Sequence, residues 1–152
     1  MLNCLAWYAH DLANHVPDNV GIARDGSGDA PLDAMILSIE TLAEVLVIVA
    51  ESQSPDARAF HNWGISDPEG FLAMGTIEIV LHTWDIAIAL SGNLSDPAAF
   101  DALAGRLLGR LFPEAPVGRA SLATLLYVTG RAELDGMERV THWRWHSAPL
   151  HP

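Results

Sequence analysis

Three side chains that can bind a metal ion or transfer protons follow one another along a single apolar segment. Glu78, His82 and Asp85 are the strongly polar residues of residues 71–90, FLAMGTIEIVLHTWDIAIAL. In an α-helix of about 3.6 residues per turn, positions three, four and seven apart project in nearly the same direction, with about 5–6 Å between neighbouring Cβ atoms. The spacing therefore predicts two carboxylates and an imidazole on one helical stripe, and such a group can hold a divalent metal.

The direction in which this stripe faces has two interpretations. A narrow charged stripe is most often the solvated side of an amphipathic helix. The opposite face carries Thr76, Val80, Thr83 and Ala87, so an outward stripe would bury that face and leave few polar side chains outside. An inward stripe would bury a carboxylate and an imidazole, which is costly unless a metal or another partner satisfies them. The sequence leaves both interpretations open.

A complete metal site needs a further ligand from another helix. Glu78 and His82 supply two ligands, whereas a catalytic zinc usually has three protein ligands and one open position. His10 and His15 lie five residues apart on the first helix, so at most one of them can face the site. We predict His10 as the third ligand, with a satisfied core histidine as the alternative. Asp85 is the predicted catalytic residue, because it can accept the second ring N–H of a ligating histidine or support a substrate group, with a cap of a local network as the alternative.

Other reactive side chains are weaker candidates. His142 and His146 in HWRWH are spaced like a helical metal pair, but the alternating tail predicts an extended chain, in which four residues span about 13 Å. Cys4 is the single cysteine, so no internal disulfide forms, and a buried inert thiol is its predicted state. Arg144 could pair with an acidic substrate, with a surface salt bridge as the alternative.

Hydrophobic periodicity and helix start and stop signals predict five helices and an extended tail. Asp67-Pro68 and Asp96-Pro97 each join an N-cap residue to a proline at the first helical position, and Gly130 suits the left-handed conformation that ends a helix. The wide apolar face of the second helix predicts that it is largely buried. The predicted helices span residues 2–16, 32–51, 68–90, 97–112 and 120–129, and the tail spans residues 140–146. Mostly short connections favour an all-α, antiparallel helical bundle.

Composition limits the classes of partner and location. The length of 152 residues predicts a single domain, residues 1–152. Nineteen acidic and eight basic residues give a net charge of −11, which disfavours binding to nucleic acid and to anionic lipid. No uninterrupted apolar run is as long as a membrane span, and the first residues lack the features of a signal peptide. The sequence therefore predicts a soluble, cytoplasmic protein with no membrane partner.

Beyond these patterns, the run EIVLHTWDIAIALSG resembles the third-helix signature of the DinB-like superfamily of helical bundles. The similarity is to the branch that contains mycothiol-dependent maleylpyruvate isomerase, which commonly shows E-x3-H followed by an aromatic residue and Asp. LAWYAHDLA, GFLAMGTIE, LFPEAP, TGRAELDG and WRWHSAPL are similar to other elements of the same branch. The resemblance thus covers most of the chain.

This resemblance implies a four-helix bundle that binds a divalent metal, usually zinc, through Glu78, His82 and one histidine of the preceding bundle helix. In the family, that histidine lies about one turn before the position of Cys4, which here would precede Met1. The first bundle helix is missing as well. Either the chain is truncated at its start, or His10 or a partner subunit replaces the ligand, or the metal has been lost. A missing helix exposes apolar faces and favours a homodimer.

Three hypotheses for function follow. The resemblance implies an isomerase or S-transferase that uses a divalent metal and a thiol, mycothiol, as co-substrate and acts on a small electrophile. The alternative is a non-catalytic helical module that dimerises or binds a small ligand through the groove of the missing helix. A third hypothesis is a metal site of purely structural importance, in which case chelation would unfold the protein.

Overall fold

The computed structural model describes residues 2–13 and 32–150, and this part of the protein is mostly helical. The chain forms two compact units, Met1–Gly75 with Ser147–Pro152, and Thr76–His146. The prediction of a single domain stays a prediction. The described elements are α1 (Leu2–Ala13), α2 (Leu32–Ser52), β1 (Ala59–His61), β2 (Gly64–Ser66), α3 (Pro68–Ser91), α4 (Pro97–Leu111) and α5 (Ser121–Val128). The predicted end of the first helix, the loop of residues 17–31 and His15 lie outside the described residues.

The first unit is built on the packing of α1 against α2. Leu5 of α1 is fully buried and Leu46 of α2 nearly so. Gly75, near the middle of α3, approaches both of them so closely that a Cβ at this position would overlap Leu46. A small residue at position 75 therefore lets three helices share one apolar core.

A short antiparallel hairpin, β1 and β2, corrects the all-α prediction. Its strands pair Ala59 with Ser66 and His61 with Gly64, joined by a two-residue connection. Sequence periodicity missed it because three residues per strand are too few to establish an alternation. The Ser66 hydroxyl donates to the backbone oxygen of Ser147, which ties the hairpin to the last described segment of the chain.

His61 is buried where this hairpin packs against α1. Its ring lies 5.8 Å from that of Tyr8 and 5.7 Å from that of Trp63, measured between centroids. Its Nδ1 accepts the backbone N–H of Trp63, so this nitrogen carries no proton. Burial lowers the pKa of His61 from 6.5 to about 4, because the charged form would lose its hydration.

The prediction that α2 is largely buried is wrong. Among the side chains of α2 that the structure describes, only Leu46 and Ala50 are buried. Leu37 and Ile48 are each more than 60% exposed. The helix is apolar around most of its circumference, but the neighbouring elements of the described chain cover one side only. Sequence hydrophobicity therefore overestimated its burial.

In the second unit, α4 and α5 pack together, and a carboxylate caps the first turn of each helix. The Asp96 carboxylate accepts the Ala99 N–H at 3.0 Å, which confirms the predicted N-cap of α4. The start of α5 is capped by its neighbour instead: Asp101 of α4 accepts the backbone N–H of Leu122 at 2.8 Å. A side chain on one helix thus positions the first turn of the next.

The tail after α5 has neither helix nor strand, and its side chains alternate as predicted. Trp145 is buried and Trp143 is partly buried, whereas His142, Arg144 and His146 are exposed. The two indoles lie 5.8 Å apart between ring centroids. The His146 N–H donates to the Leu111 carbonyl at 2.7 Å and the Arg110 guanidinium donates to the His146 carbonyl, so the tail covers the end of α4.

Among the described helices, α3 alone has the length and composition of a membrane span. The core helix of a soluble protein meets the same criterion, and Phe71, Met74 and Ile77 of α3 are fully buried. The absence of a membrane partner stays a prediction.

We expect acid to destabilise the protein in part through His61. Because its pKa is lower in the folded than in the unfolded state, the unfolded state binds more protons between pH 6.5 and about 4. The contribution of His61 to the free energy of unfolding is fully present above pH 6.5. Below pH 6.5 it decreases by about 1.4 kcal/mol per pH unit, so about 2 kcal/mol is lost at pH 5. Urea unfolding of wild type and His61→Gln at pH 7.5 and pH 5 measures this difference.

The matched control is His142→Gln, since His142 is an exposed histidine of the tail. It should lose as much stability on acidification as the wild type, whereas His61→Gln should lose about 2 kcal/mol less. Equal losses in all three proteins would show that His61 titrates normally in the folded state.

Candidate functional site

Helix α3 carries the three side chains singled out by the sequence. Its start is determined by Asp67, whose carboxylate accepts the Gly70 N–H at 2.8 Å, with Pro68 as the first helical residue. The helix continues without a break from Pro68 to Ser91, so the register over positions 78–85 is that of a single helix. The predicted stripe therefore forms.

The carboxylates of the stripe lie on opposite edges of the imidazole. Nε2 of His82 is 3.2 Å from Oε2 of Glu78, and Nδ1 of His82 is 3.6 Å from Oδ2 of Asp85. Because the two ring nitrogens point away from each other, the two carboxylates cannot bind one ion together with this histidine. Oε2 of Glu78 and Nε2 of His82 thus form one pair of possible metal-donor atoms, which we call the donor pair. Asp85 faces the other nitrogen of His82.

The separation within the donor pair matches that of two ligands of one metal ion. Zinc binds histidine nitrogen and carboxylate oxygen at about 2.0–2.2 Å, and a tetrahedral arrangement then places these two atoms about 3.3 Å apart. The observed 3.2 Å between Nε2 of His82 and Oε2 of Glu78 agrees with this value. The same distance also permits a direct ion pair if the imidazole is protonated.

Arg131 holds Asp85 in place and is the residue that the sequence predictions missed. Its Nε is 3.1 Å from Oδ1 of Asp85 and its Nη2 is 3.1 Å from Oδ2, a two-point contact between guanidinium and carboxylate. Arg131 is 19% exposed and Asp85 is 39% exposed. The pair orients the carboxylate that faces Nδ1 of His82.

The end of α5 places Arg131 where it can reach Asp85. The Gly130 N–H donates to the Tyr127 carbonyl and the Arg131 N–H donates to the Leu126 carbonyl, which is the hydrogen-bond pattern of a Schellman motif. Gly130 has a φ of +70°, as predicted for a helix-ending glycine. A Cβ there would also lie 2.8 Å from the Val140 carbonyl oxygen. The sequence signal that could have drawn attention to Arg131 is its position directly after this helix-ending glycine.

Burial along the stripe resolves the two interpretations of its direction. Glu78 is 16% exposed, whereas His82 is 42% exposed. The preceding part of α3 is buried and the following part is open, since Ile86 and Leu90 are 55% and 83% exposed. The stripe runs along the helix axis from the protein interior towards the surface, so it is neither wholly solvated nor wholly inward.

Two further sequence candidates, His10 and Cys4, belong to the first unit. His10 is exposed on α1 of the first unit and stays a prediction as the third ligand. Cys4 on the same helix is partly buried. Across residues 2–13 and 32–150, no group of three or more His, Cys, Asp or Glu side chains is arranged to hold a metal ion. The described site therefore contains two side chains that could act as metal ligands, Glu78 and His82, and a separate Asp–Arg pair.

Comparisons of the chain with protein-family models, with curated proteins and with solved structures find no match. The family resemblance therefore rests on the sequence motifs.

We expect Gly130→Ala to destabilise the protein more than Gly92→Ala. Both glycines end a helix at positive φ, where a side chain costs about 1–2 kcal/mol. Around Gly92 no atom lies within 4 Å of the added Cβ, whereas at Gly130 the Val140 backbone must move. The cost should be greater at Gly130 by at least about 1 kcal/mol. Denaturant unfolding of the two variants compares them directly, and equal losses would argue against the close approach.

We expect a measurable coupling between Asp85 and Arg131. In a double-mutant cycle with Asp85→Asn and Arg131→Gln, the pair should contribute about 1 kcal/mol to the free energy of unfolding. Arg131→Lys should restore only part of it, because lysine cannot make the two-point contact. Arg119→Gln, at an exposed arginine of the same unit, should be additive with Asp85→Asn. Additivity in the Arg131 cycle would contradict the pairing.

Proposed function

We propose that this protein is a divalent-metal-dependent enzyme of the DinB-like, mycothiol-dependent maleylpyruvate isomerase type, built as an antiparallel helical bundle. The mostly helical structure is compatible with such a bundle. The observation that carries the proposal is the position of His82, with one ring nitrogen at metal-ligand separation from Glu78 and the other facing Asp85. This division is typical of a ligating histidine with a supporting carboxylate.

In this proposal, each side chain of the site has a distinct task. Glu78 and His82 hold a divalent ion, with zinc preferred by a nitrogen and oxygen donor set, and His10 is the predicted third ligand. Asp85 would accept the Nδ1–H of His82 once their 3.6 Å separation shortens to hydrogen-bond length, which would select the tautomer whose Nε2 lone pair is available. Arg131 fixes the orientation of Asp85. In this geometry Asp85 positions His82, and its predicted catalytic role would require it to contact substrate as well.

The reaction class follows from the resemblance and from thiol chemistry. A bound divalent cation would stabilise the anionic thiolate of a small thiol, mycothiol, at neutral pH. Addition of the thiolate sulfur to one carbon of an activated cis double bond turns that bond into a single bond. Rotation followed by loss of the same thiolate restores the double bond in the trans geometry, so no atom is gained or lost. Displacement of a leaving group by the thiolate is the corresponding S-transfer.

A partly exposed site suits a substrate that enters from solvent. His82 and Asp85 are each about two-fifths exposed, whereas Glu78 is mostly buried. Glu78 is the less exposed of the two predicted ligands, and the partial exposure of His82 would let a small electrophile or thiol approach it. Use of mycothiol, a homodimeric state and a cytoplasmic location stay predictions from the sequence.

A second candidate function is a non-catalytic helical module. It is favoured by the continuous contacts from Glu78 through His82 and Asp85 to Arg131, which give each of these side chains a polar partner within the protein. The exposed apolar residues of α2 would then be the functional surface. Metal content distinguishes this module from the enzyme.

We expect the purified protein to bind about one divalent ion per chain, as measured by elemental mass spectrometry after tag removal. Glu78→Gln and His82→Gln should each abolish tight binding, because the first replaces an anionic oxygen ligand by a weakly coordinating amide and the second removes the imidazole nitrogen. Asp85→Asn should weaken metal affinity by about 10–100-fold, as expected for a group that orients a ligand. Mycothiol-dependent cis–trans isomerisation of maleylpyruvate should fall in parallel with metal content.

His142→Gln is the matched control, since it removes an exposed histidine of the same unit. It should leave metal content and turnover unchanged, and circular dichroism should show that all variants fold. A folded, metal-free wild type without turnover would exclude the enzyme and favour the module. Metal loss accompanied by unfolding in the wild type, with no turnover, would indicate a structural ion instead.

A further inference from the structure

On the exposed side of α2, acidic and apolar residues alternate in a regular pattern. We call this side the outer face of α2, and all eight of its side chains are exposed. Its members are Asp33, Ile36, Leu37, Glu40, Glu44, Val47, Ile48 and Glu51. Leu46 and Ala50, on the other side of the helix, are buried. The outer face is therefore separate from the core of the first unit.

The outer face repeats one pattern twice. Each copy has an acidic residue, two apolar residues one turn later and a second acidic residue after another turn, as in Asp33, Ile36, Leu37 and Glu40. The second copy begins at Glu44, eleven positions after the first. Eleven residues are close to three turns and about 16.5 Å of helix, so the two copies face the same direction. Two apolar pairs are thus presented along one line of the surface, each with a carboxylate on either side.

The charges of this helix are not compensated within it. Helix α2 contains four acidic residues and no lysine or arginine. Glu40 and Glu44 are one turn apart, and such like-charged pairs destabilise a helix. Glu51 lies in the last turn, where the helix dipole also disfavours a negative charge. A cationic partner on the outer face would relieve both repulsions.

We propose that the outer face of α2 is a docking site for a basic amphipathic helix of another protein. A helix is the fitting shape because the apolar pairs recur at a helical repeat along a helix of 21 residues. Its apolar residues would cover Leu37, Ile48 and their neighbours, and its Arg or Lys residues would meet the flanking carboxylates. This surface is independent of the metal site, so it stands or falls separately from the proposed enzyme activity.

Two other occupants fit the charges less well. A second copy of the chain would bring its own acidic α2 and a net charge of −11 to the interface. The segment of residues 14–31 carries Asp18, Asp25 and Asp29 against a single Arg24, so it too is acidic. Like charges across an interface oppose association, whereas opposite charges select the partner.

The probe for this site is a labelled helical peptide of about 22 residues, which matches α2 at about 1.5 Å per residue. It carries leucine pairs at the repeat of α2, lysines one turn to either side and alanine elsewhere. Fluorescence anisotropy should show saturable binding to the full-length wild type at physiological salt. A peptide with glutamate in place of lysine should not bind. Absence of binding by the lysine peptide would overturn the proposal.

Variants separate docking from general attraction to an acidic protein. Glu40→Arg with Glu44→Arg should weaken peptide binding at least about tenfold through lost charge complementarity. Leu37→Ser with Ile48→Ser should also weaken it about tenfold through lost apolar contact. Glu114→Arg with Glu133→Arg makes the same change in net charge at exposed positions of the other unit and should stay within about twofold of wild type.

Three results would contradict the proposed partner. Equal weakening by the Glu114 and Glu133 control would show non-specific attraction. Unchanged binding after loss of Leu37 and Ile48 would show that the apolar pairs take no part. A wild-type dimer in sedimentation that becomes monomeric in the Leu37→Ser, Ile48→Ser variant would make a second copy the occupant of this face. Circular dichroism of every variant would confirm that the exposed substitutions leave the helix intact.

Discussion

The candidate site depends on the two-point contact between Arg131 and Asp85. This contact orients a carboxylate whose Oδ2 lies 3.6 Å from one nitrogen of His82, while Oε2 of Glu78 lies 3.2 Å from the other nitrogen. Its geometry in turn depends on Gly130, whose positive φ turns the chain at the end of α5. A backbone conformation available chiefly to glycine thus helps to place the guanidinium that orients Asp85 beside His82.

The two ends of the stripe on α3 differ in their exposure to solvent. Glu78 is mostly withdrawn from water, where a carboxylate needs a partner, and His82 is accessible, where a substrate could arrive. The same gradient continues to the end of the helix, where Ile86 and Leu90 are open to solvent. Apolar residues are also exposed along α2. Contiguous exposed apolar patches are typical of surfaces that bind a partner.

Local signals in the sequence predicted the helices well because each is determined by neighbouring residues. Asp67-Pro68 and Asp96-Pro97 start helices through hydrogen bonds that span three residues, and Gly130 ends one through its own backbone conformation. The β-hairpin escaped prediction because its two short strands are defined by their mutual pairing. The exposure of α2 escaped prediction because hydrophobicity indicates what can be buried, and not whether a neighbouring element covers it.

For the site, the sequence by itself determined that Glu78, His82 and Asp85 share one helical stripe, since their spacing equals the helical repeat. Tertiary structure decided that the two carboxylates face different nitrogens, that the stripe passes from buried to exposed, and that Arg131 joins it. Asp85 and Arg131 are 46 positions apart, and a contact over that separation depends on how whole helices pack. Helical periodicity is a local property of the chain, whereas contacts between distant residues arise only when the chain folds.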